Sequence, residues 1–203
     1  MPAILNEAPI LLPTAANAQP PRKLWTRTEL AAAESIGLDL TRYELIEGDL
    51  VHKMGQKRPH VTALVWLQGW LILNFGVPFV APESPIDVSP EDNPTSEPEP
   101  DIVLLRSSVS KFTERHPKPE DIHLVVEISD STLAFDLGTK AALYARAGII
   151  EYWVLDVQGR SLTVHRAPHA GRYLDVAVYS EAEAVAPLAA PDLKFPVAAA
   201  FKA

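Results

Sequence analysis

Two carboxylates and one amine near the middle of the chain have the types and spacing that metal-assisted chemistry on a phosphate requires. Asp101 opens the apolar run "DIVLL", Glu127 interrupts the apolar run "LVVEI", and Lys140 follows on a predicted helix. Carboxylate oxygens are the ligands that Mg²⁺ and Mn²⁺ prefer. An amine beside such a cation could stabilise charge that develops on a phosphate. These three residues are the minimal equipment for hydrolysing a phosphodiester bond.

Glu127 is the strongest of the three candidates on physical grounds. Its neighbours predict a strand that is buried on both faces. A carboxylate in such a strand is costly unless it is paired, hydrogen-bonded or bound to a metal. Metal binding and a salt bridge to a basic side chain are therefore both open. Asp101 could simply begin a strand, and Lys140 could be a solvated helix residue.

The elements that position these residues begin with local signals in the first half of the chain. Thr26 and Glu29 have the spacing of a capping box, which predicts a short helix. Alternation on both sides of Glu47 predicts a hairpin. The apolar stretch "HVTALVWLQGWLILNF" predicts a largely buried helix that ends near Gly76. Residues 90–100 are acidic and rich in proline, and we expect a mobile loop.

The second half predicts a strand–helix–strand unit. The helix is expected over residues 136–147, with Asp136 as its N-cap and Gly148 as its stop. The strands "IHLVVEIS" and "IIEYWVLDV" flank it, and two more strands follow. The order of elements predicts an α/β (α+β) domain with a central mixed sheet.

Composition limits the class of protein. The chain has 203 residues, of which 47% are hydrophobic and 22% charged, and this fits one globular core. It contains no cysteine, which rules out a thiol nucleophile or a zinc–thiolate site and fits a reducing, cytoplasmic compartment. The net charge of −8 argues against a protein that coats nucleic acid non-specifically. No apolar run is long enough to predict a membrane span.

The predicted domain organisation has three parts. Residues 1–23 are expected to form a flexible arm rather than a signal peptide, because they lack a basic start and Pro9 and Pro13 interrupt the apolar part. Residues 24–180 are expected to form the folded domain. Residues 181–203 are expected to form a tail that packs on or near it.

Several motifs together resemble one known family. The segments "RYELIEGDLV", "PDIVLL" and "LVVEISDST", with the later "EYWVLD", are similar to the Uma family of the PD-(D/E)XK nuclease superfamily. The resemblance covers roughly residues 26–166. It implies a restriction-endonuclease-like sheet flanked by helices, and a metal-dependent endonuclease that hydrolyses DNA with Mg²⁺ or Mn²⁺.

The resemblance also implies roles for particular residues. Asp101 and Glu127 would be catalytic and bind the metal, with the Ile128 carbonyl as a third ligand. The superfamily's usual lysine position holds Ser129 in this chain. The family's lysine is displaced to the following helix, where Lys140 matches it.

An additional acidic residue and a basic segment complete the expected site. Glu44 matches a glutamate that is regular in the family, although a hydrogen-bonded strand residue is an equal alternative, and it is favoured over Glu47. The segment 52–60, "HKMGQKRPH", is either a phosphate-contacting loop or a solvated turn. His60 could reach the site from the start of its helix.

The expected partners follow from the same resemblance. DNA is the expected substrate, and no membrane partner is expected. A homodimer is predicted from the resemblance and from the exposed apolar potential of the "EYWVLD" segment. The alternatives are a nuclease-fold protein that binds nucleic acid or a partner protein without cleavage, and an unrelated domain in which Glu127 is salt-bridged.

Overall fold

The structure is a computed structural model that describes residues 22–53 and 57–202. The arm predicted for residues 1–23 therefore lies almost wholly outside the described residues, as do residues 54–56 of the basic segment. Within the described ranges, no helix has the length and apolar character needed to cross a membrane.

In the part of the chain that the structure describes, ten strands and four α-helices position the site. In chain order they are α1 (Arg27–Ser35), β1 (Tyr43–Ile46), β2 (Asp49–His52), α2 (Arg58–Phe75), β3 (Val80–Pro82), β4 (Ile102–Leu105), β5 (Ile122–Ser129), α3 (Leu133–Phe135), α4 (Ala141–Ala147), β6 (Glu151–Asp156), β7 (Ser161–His169), β8 (Arg172–Ser180), β9 (Ala184–Val185) and β10 (Phe195–Pro196). The Thr26–Glu29 capping box of α1 is present, α2 ends at Gly76, and β1 and β2 form the predicted hairpin.

A six-stranded mixed sheet is the centre of the fold. Its strand order is β3-β4-β5-β6-β7-β8, with β5 and β6 parallel and the other neighbouring pairs antiparallel. One face packs against α2, where Leu67 lies in a cluster with Val126. The other face packs against α4, where Tyr144 lies in a cluster with Val125. The predicted α/β (α+β) class, a mixed sheet flanked by helices, is confirmed.

The connection between β5 and β6 is a helical segment with an irregular centre. A π turn over Asp136–Lys140 joins α3 to α4. The predicted start was wrong: the helix begins one turn earlier, because the Thr132 carbonyl accepts backbone bonds from Phe135 and Asp136. Asp136 is a buried interior residue instead of a cap, and its Oδ2 accepts a bond of 2.6 Å from the Thr132 hydroxyl. Gly148, at φ 79°, ends α4 as predicted.

The segment "EYWVLD" does not provide an exposed apolar surface. It forms β6 in the middle of the sheet, and Glu151, Trp153 and Leu155 are fully buried. The argument for a homodimer from this segment was therefore wrong, because β7 and β8 extend the sheet beyond it. The buried charge of Glu151 is stabilised by an ion pair with Arg166 and by a hydrogen bond from the indole N–H of Trp153.

The acidic proline-rich loop is attached to the fold rather than free of it. Ser96 is fully buried, and its hydroxyl accepts a bond of 3.0 Å from the backbone N–H of Glu47. Asp92 pairs with Arg146 at 3.0 Å, and Asn93 accepts a bond from the Val88 backbone. The expectation of a mobile loop was wrong, because its polar side chains bond to the surrounding elements.

The residues after β8 also contribute to the core. Phe195 and Val197 are fully buried in the cluster that α2 covers, together with Val185 of β9. The rings of Phe195 and Trp70 meet at 5.3 Å. This segment therefore packs against α2 on the face of the sheet that α2 covers.

Candidate active site

Lys140 lies at the centre of a buried polar cluster beside the end of β5. Its Nζ lies 2.9 Å from Glu127 Oε1 and 2.9 Å from Glu44 Oε1. The Tyr144 hydroxyl donates a bond of 3.0 Å to the same Glu127 oxygen. All four side chains are buried. The cluster therefore connects β5, the β1–β2 hairpin and the helical segment between β5 and β6, which we call the crossover helix.

The sequence places these groups together for simple geometric reasons. Lys140 and Tyr144 are four residues apart on the helical segment, so they lie on one face and both reach Glu127. The π turn that contains Lys140 is a local feature that often occurs at functional sites. Glu44 lies in β1, and its Oε2 accepts a bond of 3.3 Å from the Glu99 backbone N–H.

Burial and mutual charge shift the pKa values in this cluster. Burial would lower the pKa of Lys140, but the carboxylates of Glu127, Glu44 and Asp136 outweigh it and raise that pKa. Lys140 is therefore an ammonium at neutral pH. Burial raises the pKa of Glu127, and Lys140 opposes this while the carboxylates of Asp101, Asp136 and Glu44 add to it.

Asp101 lies on the same side of the sheet as Glu127. The β4–β5 register pairs Ile102 with Val126, so continuing it by one residue sets Asp101 opposite Glu127. Asp101 Oδ2 accepts a short bond of 2.6 Å from the Ile128 backbone N–H. This bond fixes the Asp101 carboxylate at the edge where β5 ends.

His60, on the first turn of α2, lies close to Asp101. Its Nε2 lies 3.3 Å from Asp101 Oδ1, but the ring is not aligned for a hydrogen bond, and within the described ranges Nε2 has no other partner. Burial lowers the pKa of His60, whereas Asp101, Asp130 and the Ile128 backbone raise it, and the net shift is upward. The imidazole therefore lies beside the Asp101 carboxylate.

These residues line an open cleft of about 530 Å³. Acidic side chains outnumber lysines and arginines in its lining: Glu44, Glu83, Glu99, Asp101, Glu127, Asp130 and Asp136. Arg42, Lys53 and Lys57 lie on the same lining, where Lys53 pairs with Glu99 and Lys57 with Asp130. A dense group of acids with scattered cations suits a cation-dependent site better than direct binding of a polyanion.

The donors fit a hard divalent cation. Asp101 and Glu127 supply carboxylate oxygens, and Ile128 supplies a backbone carbonyl beside them. Glu127 accepts both of its described bonds on Oε1, which leaves Oε2 for a ligand in the cleft. In residues 22–53 and 57–202, no three His, Cys, Asp or Glu side chains form a ready-made metal cluster. Mg²⁺ sites in proteins often use only one or two carboxylates and keep several waters.

The structure brings together the residues that sequence reasoning selected. Asp101, Glu127, Ile128, Lys140 and Glu44 all line the one cleft. Glu47 does not: it lies in the hairpin turn, at φ 51°, and pairs with Arg146.

Two contributors to the site were missed. Tyr144 was not selected as a site residue and Asp136 was interpreted as a helix cap, but both act on the Lys140–Glu127 pair. Their spacing of four residues on either side of Lys140 was the available signal. Ser129 is buried, and its hydroxyl lies 3.3 Å from that of Thr132.

The six-stranded mixed sheet with helices on both faces is a fold that a known protein shares. A solved structure with this fold is the crystal structure of a putative nuclease belonging to DUF820 from Anabaena variabilis ATCC 29413. The TM-score is 0.61 at 16% identity, over 83% of this chain and 96% of that chain. At this identity the likeness establishes a shared fold.

The family follows from the sequence match. Residues 33–198 match the model of the Uma2 family, described as putative restriction endonuclease, and the chain belongs to that family. No curated protein is significantly similar to the chain in sequence.

Proposed function

We propose that the protein is a metal-dependent endonuclease that hydrolyses DNA phosphodiester bonds. The observation that supports this most strongly is the buried contact of 2.9 Å between Lys140 and Glu127, beside Asp101 in an open cleft. A buried amine and two carboxylates at one cleft are costly to maintain without a function. The family and the fold support the same class of chemistry.

Asp101, Glu127 and the Ile128 carbonyl would hold one Mg²⁺ or Mn²⁺. When bound, the cation would supply positive charge for the phosphate and a more acidic water. The chain fixes both carboxylates in advance. The Ile128 backbone N–H holds Asp101, and Lys140 and Tyr144 hold Glu127 by one oxygen. Fixed ligands lose little freedom when they bind, which favours affinity and precise placement.

Lys140 would act directly on the substrate. An ammonium has three N–H donors; Glu127 accepts a hydrogen bond from Lys140, and Glu44 forms an ion pair with it. A further N–H can be donated to a phosphate oxygen in the cleft and stabilise charge there. Glu44 would have a supporting role, because its carboxylate helps to keep Lys140 charged and in place.

Plasmid cleavage tests the proposal. The wild-type protein is incubated with supercoiled DNA and Mg²⁺ or Mn²⁺, beside Glu127→Gln and Asp101→Asn, which keep the side-chain shape. We expect cleavage by the wild type and a loss of about 100-fold or more in each variant. Glu114→Gln changes an exposed glutamate away from the cleft and should cleave like the wild type. Cleavage that persists in both site variants would refute the assignment.

A second candidate function is binding without cleavage, which the engagement of Lys140 by two carboxylates favours. It predicts that the wild type retards DNA in a gel with Ca²⁺ but cleaves no DNA or RNA with Mg²⁺ or Mn²⁺. Cleavage by the wild type that Glu127→Gln abolishes would exclude this candidate.

A further inference from the structure

The Nε2 atom of His60 is a buried polar atom that has no hydrogen-bond partner among the described residues. Buried nitrogens and oxygens in folded proteins almost always have a partner, so an exception calls for an explanation such as a water or an ion. His60 lies on the first turn of α2 and lines the same cleft as Asp101 and Glu127. The unpartnered nitrogen therefore belongs to the proposed metal site.

His60 Nε2 and Asp101 Oδ1 are two electron-pair donors that lie close together. They are 3.3 Å apart, yet they do not meet the geometry of a hydrogen bond. The bond that Asp101 accepts from the Ile128 backbone falls on its other oxygen, Oδ2. A carboxylate oxygen and the unprotonated nitrogen of an imidazole both carry a lone pair. Two such atoms repel each other unless a cation lies beside both of them.

The separation of these two atoms suits two ligands of one ion. Adjacent ligands of an octahedral ion are about 3 Å apart when the bonds to the metal are about 2.1 Å long. The 3.3 Å between His60 Nε2 and Asp101 Oδ1 is close to that value. Glu127 Oε2 offers a further donor, because the described hydrogen bonds to Glu127 fall on Oε1. In the described ranges no three such side chains are already grouped around one point, so waters would complete the coordination.

An imidazole ligand changes which cation a site prefers. Carboxylate and carbonyl oxygens suit Mg²⁺ and Mn²⁺ alike, whereas an imidazole nitrogen suits first-row transition metals and is a poor ligand for Mg²⁺. The helix also holds the ring in position before any ion binds, because Ala63 and Leu67 of α2 are fully buried in the core next to it along the chain. A ligand on a rigid element keeps its geometry when the metal arrives.

We propose that His60 Nε2 is a direct metal ligand beside Asp101 Oδ1, and that it makes the site prefer Mn²⁺ and similar first-row transition ions over Mg²⁺. The inference rests on the proposed metal-dependent function and adds a ligand and a cation preference to it. The rival arrangement is a protonated His60 that only pairs with Asp101 and contacts no metal.

Pulsed electron paramagnetic resonance of the full chain with Mn²⁺ tests the ligand directly. With less Mn²⁺ than protein, an imidazole nitrogen bound to the ion modulates the electron spin echo. We expect this modulation in the wild type, a changed pattern when histidine carries heavy nitrogen, and loss of the modulation in His60→Asn. The matched control is His52→Asn, which should keep the modulation, because His52 lines the same cleft. Modulation that persists in His60→Asn, or that is lost in His52→Asn, would overturn the assignment.

Competition between the two cations measures the preference. Free Mn²⁺ gives a sharp resonance signal that bound Mn²⁺ does not, so Mg²⁺ can be added until Mn²⁺ is released. In His60→Asn an amide oxygen takes the place of the nitrogen, and we expect the ratio of Mn²⁺ affinity to Mg²⁺ affinity to fall about tenfold or more. The ratio should not change in His52→Asn. An unchanged ratio in His60→Asn would overturn the preference.

Neither measurement uses DNA or cleavage, so the inference and the proposed function can fail separately. Wild-type protein that binds Mn²⁺ without nitrogen modulation would overturn this inference alone. Wild-type protein that binds no Mn²⁺ would overturn both. The wild-type and labelled-histidine measurements require no substitution, and circular dichroism should give the same spectrum for His60→Asn and His52→Asn as for the wild type.

Discussion

Lys140→Met is the most informative single change at this site, because it removes one positive charge that two buried carboxylates share. The Lys140 Nζ is within 2.9 Å of both Glu44 and Glu127, and the three side chains are 5–7% exposed. Methionine has a similar length and no charge. The substitution therefore leaves two carboxylates in a low-dielectric setting without their ammonium.

The expected loss of stability follows from that arrangement. Removing one partner of a buried ion pair costs about 3–5 kcal/mol, since the other charge remains buried and unpaired. Protonation of one carboxyl limits the loss, so we do not expect twice this value. For a chain of this size each kcal/mol corresponds to about 2–4 °C in Tm, which predicts a decrease of roughly 6–20 °C.

The loss should depend on pH. Burial raises the pKa of Glu127 above 4.5, and without Lys140 the attraction that opposes this shift is gone. A carboxyl group whose pKa is raised by folding is neutral in both the folded and the unfolded protein when the pH is below its pKa in the unfolded protein. As pH rises, the unfolded state ionises first, and the folded state is destabilised by up to about 1.4 kcal/mol per pH unit. The deficit of Lys140→Met should therefore be small near pH 4 and grow toward neutral pH.

Urea unfolding of the wild type and Lys140→Met, from pH 4 to pH 8, measures this deficit. Lys111→Met is the matched control, because Lys111 is exposed and its loss should change stability by less than about 0.5 kcal/mol. A Glu127→Gln/Lys140→Met double variant should recover part of the loss at neutral pH. A deficit below about 1 kcal/mol, or one that does not vary with pH, would refute a charged Lys140 between two buried carboxylates.

Two further changes test neighbouring buried groups. Tyr144→Phe removes the hydroxyl that donates to Glu127 at 3.0 Å and should cost about 1–3 kcal/mol in urea unfolding, whereas Tyr43→Phe, at an exposed side chain, should be near neutral. His165 packs on Tyr152 and Tyr173, and burial lowers the pKa of its imidazole. As the pH decreases through about 6.5, the imidazole is therefore protonated first in the unfolded protein, and the free energy of unfolding falls. His165→Phe should flatten the dependence of the free energy of unfolding on pH between pH 7 and pH 5. An unchanged slope would contradict a lowered His165 pKa as the cause of that dependence.

Much of the fold was predictable because its signals are local. The Thr26–Glu29 spacing, Gly76 and Gly148 each satisfy a backbone requirement within a few residues. Glu127 was predictable for a related reason, because an acid inside an apolar strand needs a partner wherever that strand lies. The structure supplies that partner as Lys140.

The remaining features depend on contacts between distant segments. The burial of "EYWVLD" follows from its central place in the sheet, which no local pattern encodes. The early start of the crossover helix depends on the Thr132 carbonyl and hydroxyl, which hold Phe135 and Asp136 in helical positions. The role of Tyr144 depends on a π turn, which local helix signals do not predict.

The position of Glu44 connects the stability of the site with its chemistry. The β1–β2 hairpin is a separate two-stranded sheet, and side-chain pairs from Glu44 to Lys140 and from Glu47 to Arg146 attach it to the crossover helix. Lys140 therefore holds the hairpin as well as facing the cleft. If Lys140→Met lost cleavage, the cause could be either the missing ammonium in the cleft or a displaced β1–β2 hairpin. Glu127→Gln and Asp101→Asn leave the Glu44–Lys140 contact in place, so these two variants are the ones that test catalysis.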